Sequence, residues 1–450
     1  MVLNSLTIAH PSLGMVTEFD ANFGKAVTRK VEAILPNAVD EFVSRAGKEG
    51  QFLSWPGLPK QQLARVNEIY DMVDILRAQT EAKVLTVLGI GGSKHTVEHM
   101  LGINGLNLKG DKVKFFSDID STSFNRFLQQ IDGDVTKSNY LVASKSGSTF
   151  ETKDGMNRIM DMLKAKFTPT DACSNVERYI AQHMVAVTDQ NADKSELRRL
   201  SDKNNWLGKL YIHDDVGGRF SALDDHSLFT LAWAGMKKAD MIEMLKGADE
   251  MSNIAVDKNI RNNTPLMQAA YWTAAKFDGI KNSVHQYLGE MFNSTERWHA
   301  QMQNESMKDT AKQIAKITDA MHHSSEAWYK LGNKFAFALT APSDKGVARE
   351  NVDGYIDAIR RTNEEYGPSM LEILDTKDLG LTPEAAGAMT QARAFSTVYQ
   401  EIIEKQALNQ PLPKVLDSVL QPNVEEYKKN LKPIEGNQPP VVAGRISINA

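Results

Sequence analysis

The chain reads as an α/β protein with a parallel, doubly wound sheet. Three features predict it: short apolar runs between residues 84 and 213, helical periodicity between those runs, and glycine- or hydroxyl-rich turns at the ends of several of them. Residues 1–80 precede this pattern and read mainly as helices, including an amphipathic segment from Leu63 to Leu76. The first strand is Val84-Leu85-Thr86-Val87-Leu88, ending in Gly89-Ile90-Gly91-Gly92-Ser93. Val113–Phe116, Tyr140–Ala143, Met184–Val187 and Leu210–His213 supply four more, each separated from the next by helical sequence. After Gly218 the chain turns helical to about residue 280. Ser283–Leu288 and Phe335–Leu339 then read as strands of a second, less regular α/β unit. From Thr382 the pattern is helical again, before a Pro/Gly-rich tail from Pro433 to Gly444.

Length and composition set the outer bounds. At 450 residues the chain exceeds one ordinary core and calls for two or three domains. With 42% apolar and 24% charged residues it is globular rather than disordered. A net charge of -5 argues against a broad nucleic-acid surface but leaves room for a local basic pocket. Cys173 is the single cysteine, so no internal disulfide can form, which fits a reducing cytoplasm. Met1–Met15 has neither a basic n-region nor a continuous apolar h-region. No run approaches about 20 apolar residues, so neither an export signal nor a membrane span is expected.

Chemistry concentrates in three turns, because ligands of open parallel sheets bind outside the carboxyl ends of strands. Ser144-Lys145-Ser146-Gly147-Ser148-Thr149 lies between an apolar strand and a helical pattern starting near Phe150. Backbone N–H groups at a helix start, small hydroxyls and a lysine together suit a phosphate dianion. Ser148-x-x-Glu151 is equally a capping box, so that stretch alone leaves both readings open. Gly89–Lys94 and Gly217-Gly218-Arg219-Phe220-Ser221 are the other two turns. Their glycines admit a ligand close to the backbone, and Arg219 can set a fixed positive charge beside a developing oxyanion.

Two other readings compete for these residues. Asp118 and Asp120 follow the second strand and could imitate the ribose-binding acid of a nicotinamide enzyme, although the Gly89 loop lacks the third glycine of that fingerprint. His95-x-x-Glu98-His99 has the H-x-x-E-H spacing of some zinc peptidases, but it opens the helix directly after a glycine turn and no cysteine cluster supports it.

In order along the chain, Gly89–Ser93, Ser144-Lys145-Ser146-x-x-Thr149-x-Glu151-Thr152 and Val216–Ser221 resemble three motifs of the glucose-6-phosphate isomerase family. Gln421-Pro422-Asn423-Val424-Glu425-Glu426-Tyr427-Lys428 resembles the bacterial form of its last signature, and the likeness runs from about residue 84 to 430. It implies two sugar-isomerase domains, each a parallel sheet between helical layers, with a helical C-terminal arm. The corresponding division is 1–80, 81–235, 236–410 and 411–450. The family likeness also implies a homodimer, a hexose phosphate substrate, and no metal or redox cofactor.

The resemblance assigns Ser93, Ser144, Lys145, Ser146 and Thr149 to the phosphate, and Gly92, Gly218, Gln421 and Glu151 to the rest of the substrate site. Gln301-x-x-x-Glu305-Ser306 matches the segment of the base that moves a proton between C2 and C1, and Arg219 the residue that stabilises the enediolate. Lys428 matches a lysine near the sugar ring. The ring-opening histidine falls at His323, with His322 in the place of a glutamine; the surrounding Ala320–Ser324 departs from the family motif, as do Met307-Lys308-Asp309 and Asp224-Asp225-His226. The implied activity is interconversion of glucose 6-phosphate and fructose 6-phosphate. A broader isomerase acting on mannose 6-phosphate, and a non-catalytic sugar-phosphate sensor, are the alternatives.

Overall fold

The computed structural model describes residues 6–20, 23, 31–169, 175–280, 282–307, 313–316, 335–343 and 349–420. Its strands are β1 (Leu6–His10), β2 (Met15–Phe19), β3 (Val84–Leu88), β4 (Val113–Phe116), β5 (Ser138–Ala143) and β6 (Met184–Thr188). They continue as β7 (Leu207–Tyr211), β8 (Asn282–Tyr287), β9 (Gln313–Lys316), β10 (Phe335–Ser343), β11 (Ser369–Lys377) and β12 (Gly380–Leu381). The five strands expected between 84 and 213 form one parallel sheet in the order β4-β3-β5-β6-β7. Alternation explains its two covered faces. Leu85, Val87, Leu141, Val185 and Val187 enter the main core, while Leu88, Tyr140, Val142 and Ala186 pack with Met156, Ile159 and Leu163 of the helix Phe150–Lys166.

The second sheet has a parallel centre, β9-β8-β10-β11. In chain order this is second, first, third, fourth, the same sequence as β4-β3-β5-β6, so the two halves share one winding scheme. Here the N-terminal expectation needs correcting. Residues 6–19 are not α-helical: β1 and β2, joined by a 3-10 turn at Pro11–Leu13, form an antiparallel hairpin whose second strand pairs with β11. The alternating burial of Leu6, Ile8 and His10, and of Met15, Thr17 and Phe19, is the period of a strand. Its partner strand lies some 350 residues on, out of reach of any local reading. The helices Leu35–Arg45 and Val66–Gln79 do follow, the latter burying Val66, Ile69, Met72, Val73 and Leu76.

One apolar cluster joins the sheets, running from Leu85 and Val87 through Met100, Leu231, Met244 and Phe395 to Met370 and Leu374. The helix Pro383–Ala407 forms its spine, with nearly every residue from Pro383 to Glu404 buried. This helix carries Arg393, which is buried against Glu372 of β11 and also donates to Thr340 at 2.9 Å and to Tyr287 at 3.2 Å. Burial alone would weaken the guanidinium's hold on its proton, and Glu372 more than reverses that. Two further polar groups sit at the junction. His226, on the helix Asp225–Ala234, bonds through Nε2 to Thr96 at 3.0 Å, and burial lowers its pKa to about 4. His99 is buried as well and held neutral, by desolvation first and Arg393 second.

Two stability measurements follow. Arg393→Met strands the Glu372 carboxylate, so the denaturation midpoint should report a loss of about 3–5 kcal/mol, with much of it recovered when Glu372→Met is added. His226 has a depressed folded pKa, so its contribution is complete above pH 6.5 and lost as pH falls toward 4. That linkage amounts to about 3 kcal/mol. Denaturant titrations across this window should therefore show a shallower acid loss in His226→Leu than in the parent chain.

Candidate functional site

The winding order of the first sheet places its switch point between β3 and β5, which end side by side with Leu88 opposite Val142. Both following turns open a helix there. The helix Gly92–Ile103 starts from Gly91 and the helix Phe150–Lys166 from Thr149, and neither start is capped by a side chain. The capping box expected from Ser148 and Glu151 does not form. The cap residue is Thr149, and Glu151 sits one position short of where the box requires it. At the Phe150 helix the first N–H groups thus remain available to an anion, whereas at the Gly92 helix the Ser93 and Lys94 N–H groups already bond the Ile90 and Gly91 carbonyls at 3.2 and 3.1 Å.

The hydroxyl loop is organised mostly by its own atoms. Ser144 Oγ accepts the Gly147 N–H at 3.1 Å and donates to Thr149 Oγ1 at 3.2 Å, while Ser146 and Ser148 hydroxyls meet at 2.7 Å. Gly147 has φ +73°, and a Cβ there would lie 2.2 Å from the Leu197 nitrogen, so only glycine lets the loop seat on the helix Glu196–Lys203. Lys145 donates to the His213 carbonyl at 3.3 Å and lies 3.5 Å from Asp214, a pair whose acid is largely exposed. Such a surface pair is worth at most about 1 kcal/mol, so a phosphate dianion can draw the ammonium away. Ser93 adjoins this loop through Gly89, whose would-be Cβ lies 3.1 Å from Ser93 Cβ and 3.5 Å from Ala143 Cβ.

Three segments then meet at Arg219. Gly92 approaches Gly218 so closely that a Cβ would fall 2.3 Å from its carbonyl carbon, which fixes the arginine turn against the first helix start. The Arg219 side chain is fully buried. Its Nε donates to Ser306 Oγ at 3.0 Å, one terminal nitrogen reaches Glu305 at 3.4 Å, and the other donates to the carbonyls of Ser418 and of Leu420, the latter at 3.2 Å. Burial pushes its pKa down to about 10 with Glu305 opposing, so it remains a cation at neutral pH. Glu305 is a third exposed, and its other oxygen accepts from Gln301 Nε2 at 3.0 Å. Gln301 also faces the turn, 3.2 Å from where a Gly91 Cβ would stand.

Gln301, Ser306 and the Ser418–Leu420 carbonyls are the site groups that sequence reasoning left unassigned. Gln301 and Ser306 had a signal, standing in the same motif segment as Glu305; the carbonyls had none. Among the predicted residues, Gly92, Gly218, Arg219 and Glu305 are brought together, with Ser93, Ser144, Lys145, Ser146, Thr149 and Glu151 at the adjoining switch point. His322, His323, Gln421 and Lys428 lie outside the described residues.

The competing motifs resolve differently. His95 pairs with Glu98 at 3.1 Å, but both nitrogens of His99 are engaged by hydroxyls, Thr295 at 2.9 Å and Thr390 at 3.1 Å. Asp120 caps the helix Ser121–Gln130 through the Ser123 N–H. Elsewhere His213, Asp224 and Asp225 could present one ligand atom each within 4.8 Å. Their oxygens already accept N–H groups: Asp225 from Arg65, Gln62 and the Tyr211 backbone, and Asp224 from His213 Nδ1 and two backbone amides. Two buried acids beside Arg65 and His213 form an ion network that fastens the end of β7. The His213 pKa is raised, as its bond to Asp224 overcomes desolvation.

Comparison with known proteins is consistent with this geometry. The phosphoglucose isomerase family model matches residues 61–333. A glucose-6-phosphate isomerase of Mycoplasmopsis pulmonis (strain UAB CTIP) is 26% identical over 403 residues, covering 85% of this chain and 89% of that one. That of Limosilactobacillus reuteri (strain DSM 20016) is 25% identical over 70% of this chain and 69% of its own length. The crystal structure of a glucose-6-phosphate isomerase from Chlamydia trachomatis D/UW-3/Cx shares the fold, with a TM-score of 0.75 at 18% identity over 95% of this chain and 88% of that one. With the family model spanning more than half its length, this chain belongs to the phosphoglucose isomerase family.

Proposed function

We propose that the chain interconverts glucose 6-phosphate and fructose 6-phosphate by ring opening followed by proton transfer through an enediol. The observation that carries the reading is the contact between Arg219 and Glu305, a buried cation 3.4 Å from a partly exposed carboxylate. Moving a hydrogen between adjacent carbons needs a group that takes a proton from C2 and returns it to C1, and Glu305 is assigned that role. The enediolate that forms in between carries negative charge on oxygen, and a guanidinium already desolvated and held in place stabilises it without reorganising. Gln301 orients the carboxylate.

The phosphate is assigned to the switch point. The uncapped start of the Phe150 helix and the hydroxyls of Ser93, Ser144, Ser146 and Thr149 supply donors, and Lys145 supplies charge. Gly92 and Gly218, packed against each other, hold the arginine turn and the first helix start together beside the sugar. His323 as the ring-opening acid–base, Lys428 and Gln421 near the ring, and Glu151 as a partner for the histidine complete the proposed set. In this reading residues 81–235 bind the phosphate, 236–410 contribute the base and 411–450 form an arm. The working protein is a cytoplasmic homodimer.

A coupled assay of fructose 6-phosphate conversion tests the assignment. Glu305→Gln should lower kcat by about 10²–10⁴-fold with little change in KM. Turnover that survives this substitution would remove Glu305 as the base. Lys145→Met should act in the other sense, raising KM for the phosphorylated sugar more than it lowers kcat. Running mannose 6-phosphate in parallel measures how wide the substrate class is.

A further inference from the structure

The helix Thr295–Ser306 grips Arg219 at both ends. Near its C-terminus, Ser306 and Glu305 take the guanidinium. About two turns earlier, the indole N–H of Trp298 donates to the Arg219 backbone carbonyl at 3.0 Å. The arginine is therefore fixed along the same helix that carries the base, main chain by Trp298 and side chain by the last turn. Trp298 is 1% exposed, so no water can replace that bond.

The indole plane is itself constrained. It stacks on the His99 imidazole with ring centroids 3.9 Å apart and planes 13° from parallel. His99 cannot turn freely, because its two nitrogens are bonded to Thr295 and to Thr390 on the helix Pro383–Ala407. His99 lies on the helix that starts at Gly92, and Gly92 touches Gly218, the residue before Arg219. These contacts close a loop: Gly92 to Gly218, Arg219 to Trp298, Trp298 to His99, and back along the helix to Gly92.

We propose that Trp298 is a positioning residue whose indole N–H, held in plane by His99, sets the placement of the Arg219 guanidinium against Glu305. The inference rests on the isomerase reading above. Without the N–H, the Arg219 carbonyl is a buried acceptor with no donor, and the turn can shift. Misplacement on the scale of 1 Å is enough to cost about 100-fold in rate. Substrate affinity should be spared, because most of the phosphate anchors lie in the turn after β5, away from Trp298.

Trp298→Phe keeps an aromatic ring on His99 and deletes the donor. Steady-state kinetics on fructose 6-phosphate should show kcat down by about 10- to 100-fold. KM and competitive inhibition by inorganic phosphate should stay within about threefold, the spread expected when binding contacts are untouched. The thermal midpoint identifies a folded variant. His99→Phe, which retains the stack but drops both threonine bonds, should lower kcat in the same direction by a smaller factor, and it serves where Trp298→Phe does not fold. Undiminished kcat in a folded variant at either position overturns the inference. So does a parallel loss of kcat, KM, phosphate inhibition and stability, which is the mark of a packing role alone. A parent chain that fails to convert fructose 6-phosphate would instead refute the isomerase reading.

Discussion

The fully buried guanidinium of Arg219 is the constraint on which the rest of the structure depends. A desolvated charge is tolerated only when its donors are met, and these are met by residues from far along the chain: Glu305 and Ser306, and the carbonyls of Ser418 and Leu420. Each partner is in turn secured. The Ser418 and Asp417 amides donate to the two oxygens of Glu401, on the central helix Pro383–Ala407, at 2.7 and 2.9 Å. The helix of Glu305 is tied to the same central helix by Gln303 and Thr397. Satisfying one buried cation thus requires both sheets and the chain beyond the central helix to be in place together.

The two sheets divide the work although they are wound alike. In the first, Gly89 follows β3 and adjoins Ala143 at the end of β5. In the second, Gly289 follows β8 and adjoins Pro342 near the end of β10 in the same relation, with φ +115°. The chemistry of the turns differs. Gly89 leads into Gly91-Gly92-Ser93 and a helix start without a side-chain cap, whereas Gly289 leads into Glu290-Met291-Phe292, with Phe292 buried. An acid and two bulky apolar residues cannot offer an anion what small residues offer. The second sheet instead supports the helix that bears the base, through the buried network of Arg393, Glu372 and Tyr287, whose hydroxyl meets His299 on that helix at 2.8 Å.

Much of this was legible before any coordinates. The five strands of the first sheet and its glycine and hydroxyl turns are local patterns, each decided within about ten residues, and all are found, although the fifth strand begins at Leu207 and ends at Tyr211 instead of running from Leu210 to His213. What escaped was set by partners remote in sequence. The hairpin of residues 6–19 carries a strand period, but its meaning depends on β11. Trp298 looks like an ordinary helix residue until Arg219 is seen lying along it. The Ser148–Glu151 pattern promised a capping box, yet the loop spent its hydroxyls on one another and left the helix start open. His95-x-x-Glu98-His99 kept its spacing, while packing against Thr295 and Thr390 gave His99 another task.

The central claim is that Arg219 and Glu305 act as one unit on the enediolate. A double-mutant cycle tests it most directly, using kcat/KM for fructose 6-phosphate in the parent chain, Glu305→Gln, Arg219→Lys and the double variant. If the two residues share a single transition-state interaction, the double variant will be hardly worse than the poorer single variant. Losses that simply multiply would contradict the account, because they would mean that the 3.4 Å contact joins two groups acting independently.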